Sequence, residues 1–196
     1  MSRAPRKEDT MWQAAVPAFS PTTVALFLAA MAALALSLAG WTARAPAAAR
    51  TTAAALLAGW LLVLLFATLS PTQPVGSGDA TVWWRPGEGL FDPGAQLPPQ
   101  ELAMLIRQHL AYAALYVPGP LLLRFAAPRW PAAAAFLLGV GLCVTVETAQ
   151  LLMRAGRIAD IDDVMCAAAG TVIGAGLGLL ARLAARRLGR AAAVAA

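Results

Sequence analysis

The stretch AAAAFLLGVGLCVTVETAQLLM, residues Ala132–Met153, contains a single charged side chain, Glu147, in an otherwise uncharged and largely apolar run. A helix that crosses a lipid bilayer needs about 20 predominantly apolar residues. This stretch therefore predicts a membrane-spanning helix that carries a carboxylic acid. Other long apolar segments on either side of this stretch predict the rest of the fold.

Three further segments are clearly long and apolar enough to span, at residues 23–40, 52–69 and 164–180. A weaker segment lies between the second of these and Ala132; its fully apolar part begins at Leu110 and must reach back through His109 to span. Because Pro118-Gly119-Pro120 interrupts its far end, we expect a kink or a break there. The predicted fold class is all-α, a polytopic membrane protein built as a bundle of about five transmembrane helices.

The composition agrees with this class. The 196 residues are 60% hydrophobic and only 13% charged, whereas about a quarter of a soluble domain is charged. The net charge of +5 does not indicate nucleic-acid binding, since the arginines stand singly between apolar runs without interleaved aromatic residues. Anchoring at the edges of a lipid bilayer explains them better.

The distribution of basic residues predicts the orientation. Arg182, Arg186, Arg187 and Arg190 follow the last span without an acidic neighbour, so the positive-inside rule places the C-terminus inside and the N-terminus outside. The long loop at 71–100 and the acidic loop after Met153 then share the outer face. The aromatic residues of the long loop are interpreted as an interfacial belt, with a substrate-gripping lid as the alternative: Trp83, Trp84 and Phe91.

A polar cluster surrounds the end of the Ala132–Met153 segment. Glu147, Gln150 and Arg154 are spaced to form one stripe of a helix, and Gly156 is expected to break that helix. A charge at the bilayer centre costs about 2.5–3.5 kcal/mol on insertion scales. Glu147 is therefore expected to be protonated, paired with arginine or turned toward a wet cavity.

Two interpretations of the following acidic residues stay open. In the first, Asp160 caps the next helix, Asp163 lies in its first turn, and Arg157 neutralises one of them. In the second, Asp160, Asp162 and Asp163 hold a divalent cation such as Mg²⁺ or Ca²⁺, with Arg157 contacting a phosphate and Glu147 acting as general base.

Other residues have both a structural and a functional interpretation. His109, Tyr112 and Tyr116 share a helix face, either as polar tips within the bundle or as part of a pocket lined by Glu147. Gly170, Gly174 and Gly178 recur every four residues, which favours close packing within the chain over a dimer interface. Cys143 and Cys166 lack metal or redox spacing and are expected to be small core residues.

These residues resemble the VanZ-like family of bacterial integral membrane proteins. The resemblance rests on Glu147-x-x-Gln150, Gly156-Arg157-x-x-Asp160-Ile161-Asp162-Asp163, Gly170 and Gly174, together with LAYAALYVPGPLLL upstream, and covers roughly residues 56–180. It divides the chain into a tail and an additional helix (1–50), a VanZ-like membrane domain (51–183) and a basic tail (184–196). Ala167 and Tyr112 stand where the family usually has asparagine, which puts any chemistry of those positions in doubt.

The resemblance implies a location in the bacterial cytoplasmic membrane and a role in the cell envelope, including sensitivity to glycopeptide antibiotics of the teicoplanin type. Besides the lipid bilayer, the implied partners are a lipid-linked envelope precursor or a glycopeptide. Three functions remain open: a module that binds an envelope component, a metal-dependent enzyme acting on a lipid-linked phosphate, and an ion-coupled transporter that uses Glu147.

Overall fold

A computed structural model describes residues 20–71, 73–87, 98–156 and 158–195 of the chain. Its helices are α1 (Pro21–Arg44), α2 (Pro46–Leu69), α3 (Pro99–Leu115), α4 (Pro118–Ala126), α5 (Ala132–Met153) and α6 (Ile161–Ala195). Two short strands, β1 (Val82–Trp83) and β2 (Ala159–Asp160), pair in parallel. The predicted all-α class is confirmed, and the limits of α5 coincide with the segment first singled out.

Four helices are long and apolar enough to cross a membrane: α1, α2, α5 and residues 161–187 of α6. The protein is thus a multi-pass membrane protein. The weak fifth segment of the sequence forms two successive helices, α3 and α4, neither of which meets this criterion alone. The weak segment of the sequence is therefore the broken one.

The break between α3 and α4 occurs where the prolines predict it. Pro118 begins α4 and cannot donate a backbone hydrogen bond to the preceding turn. The indole Nε1 of Trp60 in α2 donates to the carbonyl of Leu115, the last residue of α3, at 2.9 Å. Gly119 makes room for this indole, because a Cβ there would lie 2.4 Å from the Trp60 ring. The break is thus stabilised by a side chain from a neighbouring helix.

Glycines of α6 pack closely against the α3–α4 passage. A Cβ at Gly170 would lie 2.0 Å from the carbonyl oxygen of Ala113, and a Cβ at Gly174 would lie 2.0 Å from that of Val117. Residue numbers increase together along the two sides of this contact, from Gly170 at Ala113 to Gly174 at Val117. Helix α6 therefore runs in the same direction as α3 and α4. The backbone that Gly170 and Gly174 contact belongs to the same chain, as expected for packing within the chain.

Residues 73–87 fold against the turn that links α5 to β2. The backbone N–H groups of Gln73, Gly76 and Gly78 donate to the carbonyls of Ala155, Met153 and Arg154, at 3.1, 2.9 and 2.7 Å. The strand pair continues this contact, with Val82 opposite Ala159 and Trp83 opposite Asp160. The two loops expected to share one face of the membrane therefore touch each other. We call this end of the bundle the acidic end, and the end that carries Arg44, Arg124 and Arg182 the basic end.

Helix α5 covers the whole predicted apolar segment, but it breaks before Gly156, the residue at which the break was expected. The helix stops at Met153, where Arg154 adopts a left-handed backbone with φ of 47°, rather than continuing to Gly156. The reason is the loop contact, since the terminal carbonyls of α5 must turn outward to accept bonds from Gly76 and Gly78. Arg154 consequently leaves the stripe of Glu147 and Gln150; its exposed side chain donates from Nε to the carbonyl of Gly78, at 3.2 Å.

Candidate functional site

Glu147 is buried on the inner face of α5, with 6% of its surface exposed. Its Oε1 accepts a hydrogen bond from the Tyr112 hydroxyl at 2.8 Å, and its Oε2 accepts from the backbone N–H of Asp160 at 3.2 Å. One carboxylate thus joins α3, α5 and the start of α6. Burying a carboxylate is tolerable when its oxygens accept hydrogen bonds in this way.

The hydrogen-bond network around Glu147 also includes Cys143, which lies one helical turn earlier in α5. The Tyr112 hydroxyl lies 3.9 Å from Sγ of Cys143, which in turn donates to the carbonyl of Asp163 at 3.8 Å. Tyr116 stacks obliquely on Tyr112, with ring centroids 5.4 Å apart. Cys143 is a free, buried thiol, in agreement with its expected place in the core.

Gln150, one turn after Glu147, is buried as well and points to a different helix. Its Nε2 donates to the carbonyl of Thr68 in α2, at 2.8 Å. That carbonyl lies in the last turn of α2, where helix carbonyls need partners from outside the helix. Gln150 therefore holds the end of α2 against α5.

The acidic residues at the start of α6 have distinct tasks. Oδ1 of Asp160 accepts from the backbone N–H of Asp162 at 2.9 Å, which confirms the predicted helix cap. The carboxylate of Asp162 is buried and accepts the backbone N–H of Gly87 with both oxygens, at 2.9 and 2.8 Å. Asp163 lies in the first turn of α6. Arg157, predicted to neutralise one of these carboxylates or to contact phosphate, lies outside the described residues.

His109 belongs to the same neighbourhood. A ring nitrogen of His109 and one carboxylate oxygen each of Asp160 and Asp162 lie within 4.8 Å of one another. Nδ1 of His109 is 2.9 Å from the carbonyl of Leu105; in the tautomer that donates this bond, Nε2 carries the lone pair. One nitrogen and two oxygen donors suit a divalent metal ion. Within the described part of the chain, this close group contains His109 rather than the predicted Asp163.

A groove of about 230 Å³ opens beside Glu147, between β1, α5 and the start of α6. Its walls are mainly apolar and aromatic, and two acidic residues, Glu147 and Asp160, are among those that line it. Trp83 and Trp84 form the wall on the loop side, and 75% of the Trp84 surface is exposed. Phe91, the third aromatic residue of the predicted belt, lies outside the described residues. The remaining lining residues belong mostly to the helices: Val144, Thr148, Leu151, Ile161 and Val164.

The two departures from the family pattern both lie at the buried network. Tyr112 supplies the hydroxyl that Glu147 binds, and Ala167 is fully buried in the cluster formed with Tyr116, Cys143 and Val146. Tyr112 therefore provides a hydrogen-bond donor to the carboxylate at a position where an asparagine was expected. Ala167 contributes only packing.

Sequence reasoning placed the loop at 73–87 on the face of the acidic residues, with a lid only as the alternative interpretation, and did not predict its backbone contacts with the turn after α5. Its attachment depends on close backbone contacts, for a Cβ at Gly78 would lie 2.8 Å from the backbone nitrogen of Gly156. Gly76, Gly87 and Gly156 all have positive φ, which favours glycine. These glycines were the available signal, but nothing in the sequence says which segment they approach.

This arrangement defines a multi-pass membrane protein with a buried carboxylate network at one end of its bundle. A family model described as VanZ/LLP1 matches residues 53–182, well over half of the chain, so the protein belongs to the VanZ/LLP1 family. The resemblance stated from the sequence is confirmed. Comparison with curated proteins and with solved structures found no match. Helix α1 precedes the matched residues, and the division into an additional helix, a membrane domain and a basic tail stays a prediction.

Proposed function

We propose that the protein binds an amphiphilic component of the bacterial cell envelope in the groove beside Glu147. The observation that carries the proposal is the composition of this groove: apolar and aromatic walls with two acidic residues, Glu147 and Asp160, among the lining. Binding sites for small molecules commonly combine apolar walls with a few fixed polar groups in this way.

The chemistry of the groove restricts the ligand. Carboxylates accept hydrogen bonds, so the group at Glu147 and Asp160 is expected to present hydroxyl or ammonium donors. Val144 on the outer side of α5 is 48% exposed and lines the groove, so an apolar chain can extend from it into the bilayer. A volume of about 230 Å³ suits part of a head group with the adjoining chain, while the rest of the molecule stays in the membrane.

Family membership supports the biological setting. The VanZ-like family is associated with glycopeptide antibiotics, which favours a lipid-linked envelope precursor, or a glycopeptide itself, as the ligand. Occupation of the groove is proposed to alter sensitivity to antibiotics of the teicoplanin type. The proposal places the acidic end outside and the C-terminus in the cytoplasm, following the arginines after α6. Reporter fusions after residue 196 test this orientation.

The test compares the wild type with Glu147→Gln and with Glu101→Gln, an exposed acidic position in the first turn of α3. Each protein is purified in mild detergent from bacterial membranes, and the co-purifying lipids are identified by mass spectrometry. We expect one class of envelope lipid to be enriched with the wild type and Glu101→Gln but lost from Glu147→Gln. Cells that produce the wild type or Glu101→Gln should share one teicoplanin sensitivity, and cells that produce Glu147→Gln should differ from them. Equal lipid content in all three proteins would contradict the proposal.

A second function is favoured by the donor group of His109, Asp160 and Asp162. If this group holds a divalent cation, the protein acts on a lipid-linked phosphate, with Glu147 as general base and Arg157 at the phosphate. Binding of Mn²⁺, measured by electron paramagnetic resonance, should then weaken in His109→Gln and in Asp160→Asn but not in Glu101→Gln. Metal binding that persists in both site variants would exclude this alternative.

A further inference from the structure

A second cavity, of about 240 Å³, lies at the basic end of the bundle and is far from the groove. It is bounded by α1, by the end of α4 with the turn that follows, and by α6. Asp160 and Arg182 are separated by about 33 Å at the roughly 1.5 Å rise per residue of α6. The two sites therefore have no residue in common. Its lining includes Ala39, Phe125 and Ala185 together with Arg124, Arg182 and Arg186.

Three of these lining residues are arginines, and none is acidic. Within the described ranges, every aspartate and glutamate lies toward the acidic end: Asp79, Glu101, Glu147, Asp160, Asp162 and Asp163. Three guanidinium groups around one cavity repel one another in the partly apolar surroundings of a helix bundle. An anion in the cavity would remove this repulsion.

The arginines are held in place by backbone carbonyls. Nη1 of Arg124 donates to the carbonyl of Trp130 at 2.6 Å, and Nη1 of Arg182 donates to the carbonyl of Arg124 at 3.2 Å. A guanidinium has five N–H donors, so most of their donors are left for other partners. Nε of Arg124 is buried without a hydrogen-bond partner in the described part of the chain. A buried donor without a partner is unfavourable, and an anionic acceptor would satisfy it.

The surroundings of the cavity identify the kind of anion. Ala39, Phe125 and Ala185 provide apolar wall, and Arg44 and Arg182 mark the level at which the apolar stretches of α1 and α6 approach their ends. Arginine pairs with phosphate oxygens through two parallel hydrogen bonds. Basic pockets between transmembrane helices on the cytoplasmic side suit anionic lipid head groups. We propose that this cavity binds the phosphate of an anionic membrane phospholipid, whose acyl chains lie against α1 and α6.

The test uses the full chain and a pair of charge-matched variants. Arg182→Gln/Arg186→Gln removes two charges from the cavity, whereas Arg44→Gln/Arg129→Gln removes two exposed charges from the same end that do not line it. Native mass spectrometry in detergent measures the binding of added phosphatidylglycerol and, separately, of phosphatidylcholine. We expect the wild type to prefer phosphatidylglycerol. The preference should fall about tenfold in the cavity variant, as expected for the loss of a charged hydrogen bond, and persist in the control pair.

Two further measurements keep the proposal falsifiable. Arg186 is exposed, so Arg186→Gln alone should fold normally and still weaken phosphatidylglycerol binding, even if Arg182→Gln impairs folding. Inorganic phosphate at millimolar concentration should not displace the lipid. Equal losses in the two double variants, equal binding of both lipids, or displacement by inorganic phosphate would each overturn the assignment. The result is independent of lipid enrichment at Glu147, so either proposal can fail without the other.

Discussion

The hydroxyl of Tyr112 donates a 2.8 Å hydrogen bond to Oε1 of Glu147, across 35 positions of the chain. The bond links the α3 segment before the break to the helix that carries the buried carboxylate. It explains why a residue with a hydroxyl group, Tyr112, lies in an otherwise apolar stretch. It also allows two tyrosines one turn apart to be compared directly.

Tyr112→Phe should lower the free energy of unfolding by about 1.5–3 kcal/mol, the usual net value of a hydrogen bond to a charged group. Its neighbour is the matched control, because the buried hydroxyl of Tyr116 has no hydrogen-bond partner among the described residues. Tyr116→Phe should therefore leave stability unchanged or raise it. Unfolding in mixed detergent micelles measures both. A larger loss for Tyr116→Phe than for Tyr112→Phe would contradict the proposed network.

The glycines of α6 provide a prediction about packing. Gly174→Ala would place a Cβ 2.0 Å from the carbonyl oxygen of Val117, a clash with backbone that only a shift of the helices relieves. We expect it to lower the free energy of unfolding by about 3 kcal/mol. A Cβ at Gly176, two residues further on, would have no neighbour within 4 Å among the described residues. Gly176→Ala should change stability by no more than about 1 kcal/mol. Similar losses for the two variants, measured by unfolding in detergent, would show that α6 packs differently.

Asp162 should control the loop at 73–87. Asp162→Ala removes the acceptor of the Gly87 N–H, so amide exchange in a peptide covering residues 82–87 should accelerate by about tenfold. Asp162→Asn retains one acceptor oxygen and should have a smaller effect. Exchange within α2 should stay at its wild-type rate in both variants. An unchanged rate at residues 82–87 would mean that the strand pair alone holds the loop.

Local signals in the sequence predicted much of the fold. The apolar run at Ala132–Met153 marked α5, Pro118 marked the break in the weak segment, and Asp160 marked the start of α6. The signals for these features lie within a few residues of the features themselves. Helix ends were less accurate; for α5 the cause is the loop that binds its last carbonyls.

The candidate site was predicted only in part, because its bonds join distant segments. Glu147 and Gln150 were singled out, together with Arg154, as one stripe of a helix. The partners of the first two, Tyr112 and Thr68, lie on other helices. Asp162 and Gly87 are 75 positions apart, and a glycine that donates through its backbone leaves no side-chain signal. Periodicity identifies which residues face inward, whereas the pairing of those residues depends on how the helices pack.

The charge of Glu147 is proposed to serve ligand binding rather than the stability of the fold. Unfolding of the wild type, Glu147→Gln and Glu147→Ala in detergent tests this most directly. A glutamine can accept from the Asp160 N–H and donate to the Tyr112 hydroxyl, so Glu147→Gln should lie within about 1 kcal/mol of the wild type. Glu147→Ala removes the acceptor of the Asp160 N–H and leaves the Tyr112 hydroxyl only Sγ of Cys143, so it should lose about 2–5 kcal/mol. If Glu147→Gln instead loses as much as Glu147→Ala, the charge is part of the scaffold and the proposed role of Glu147 is wrong.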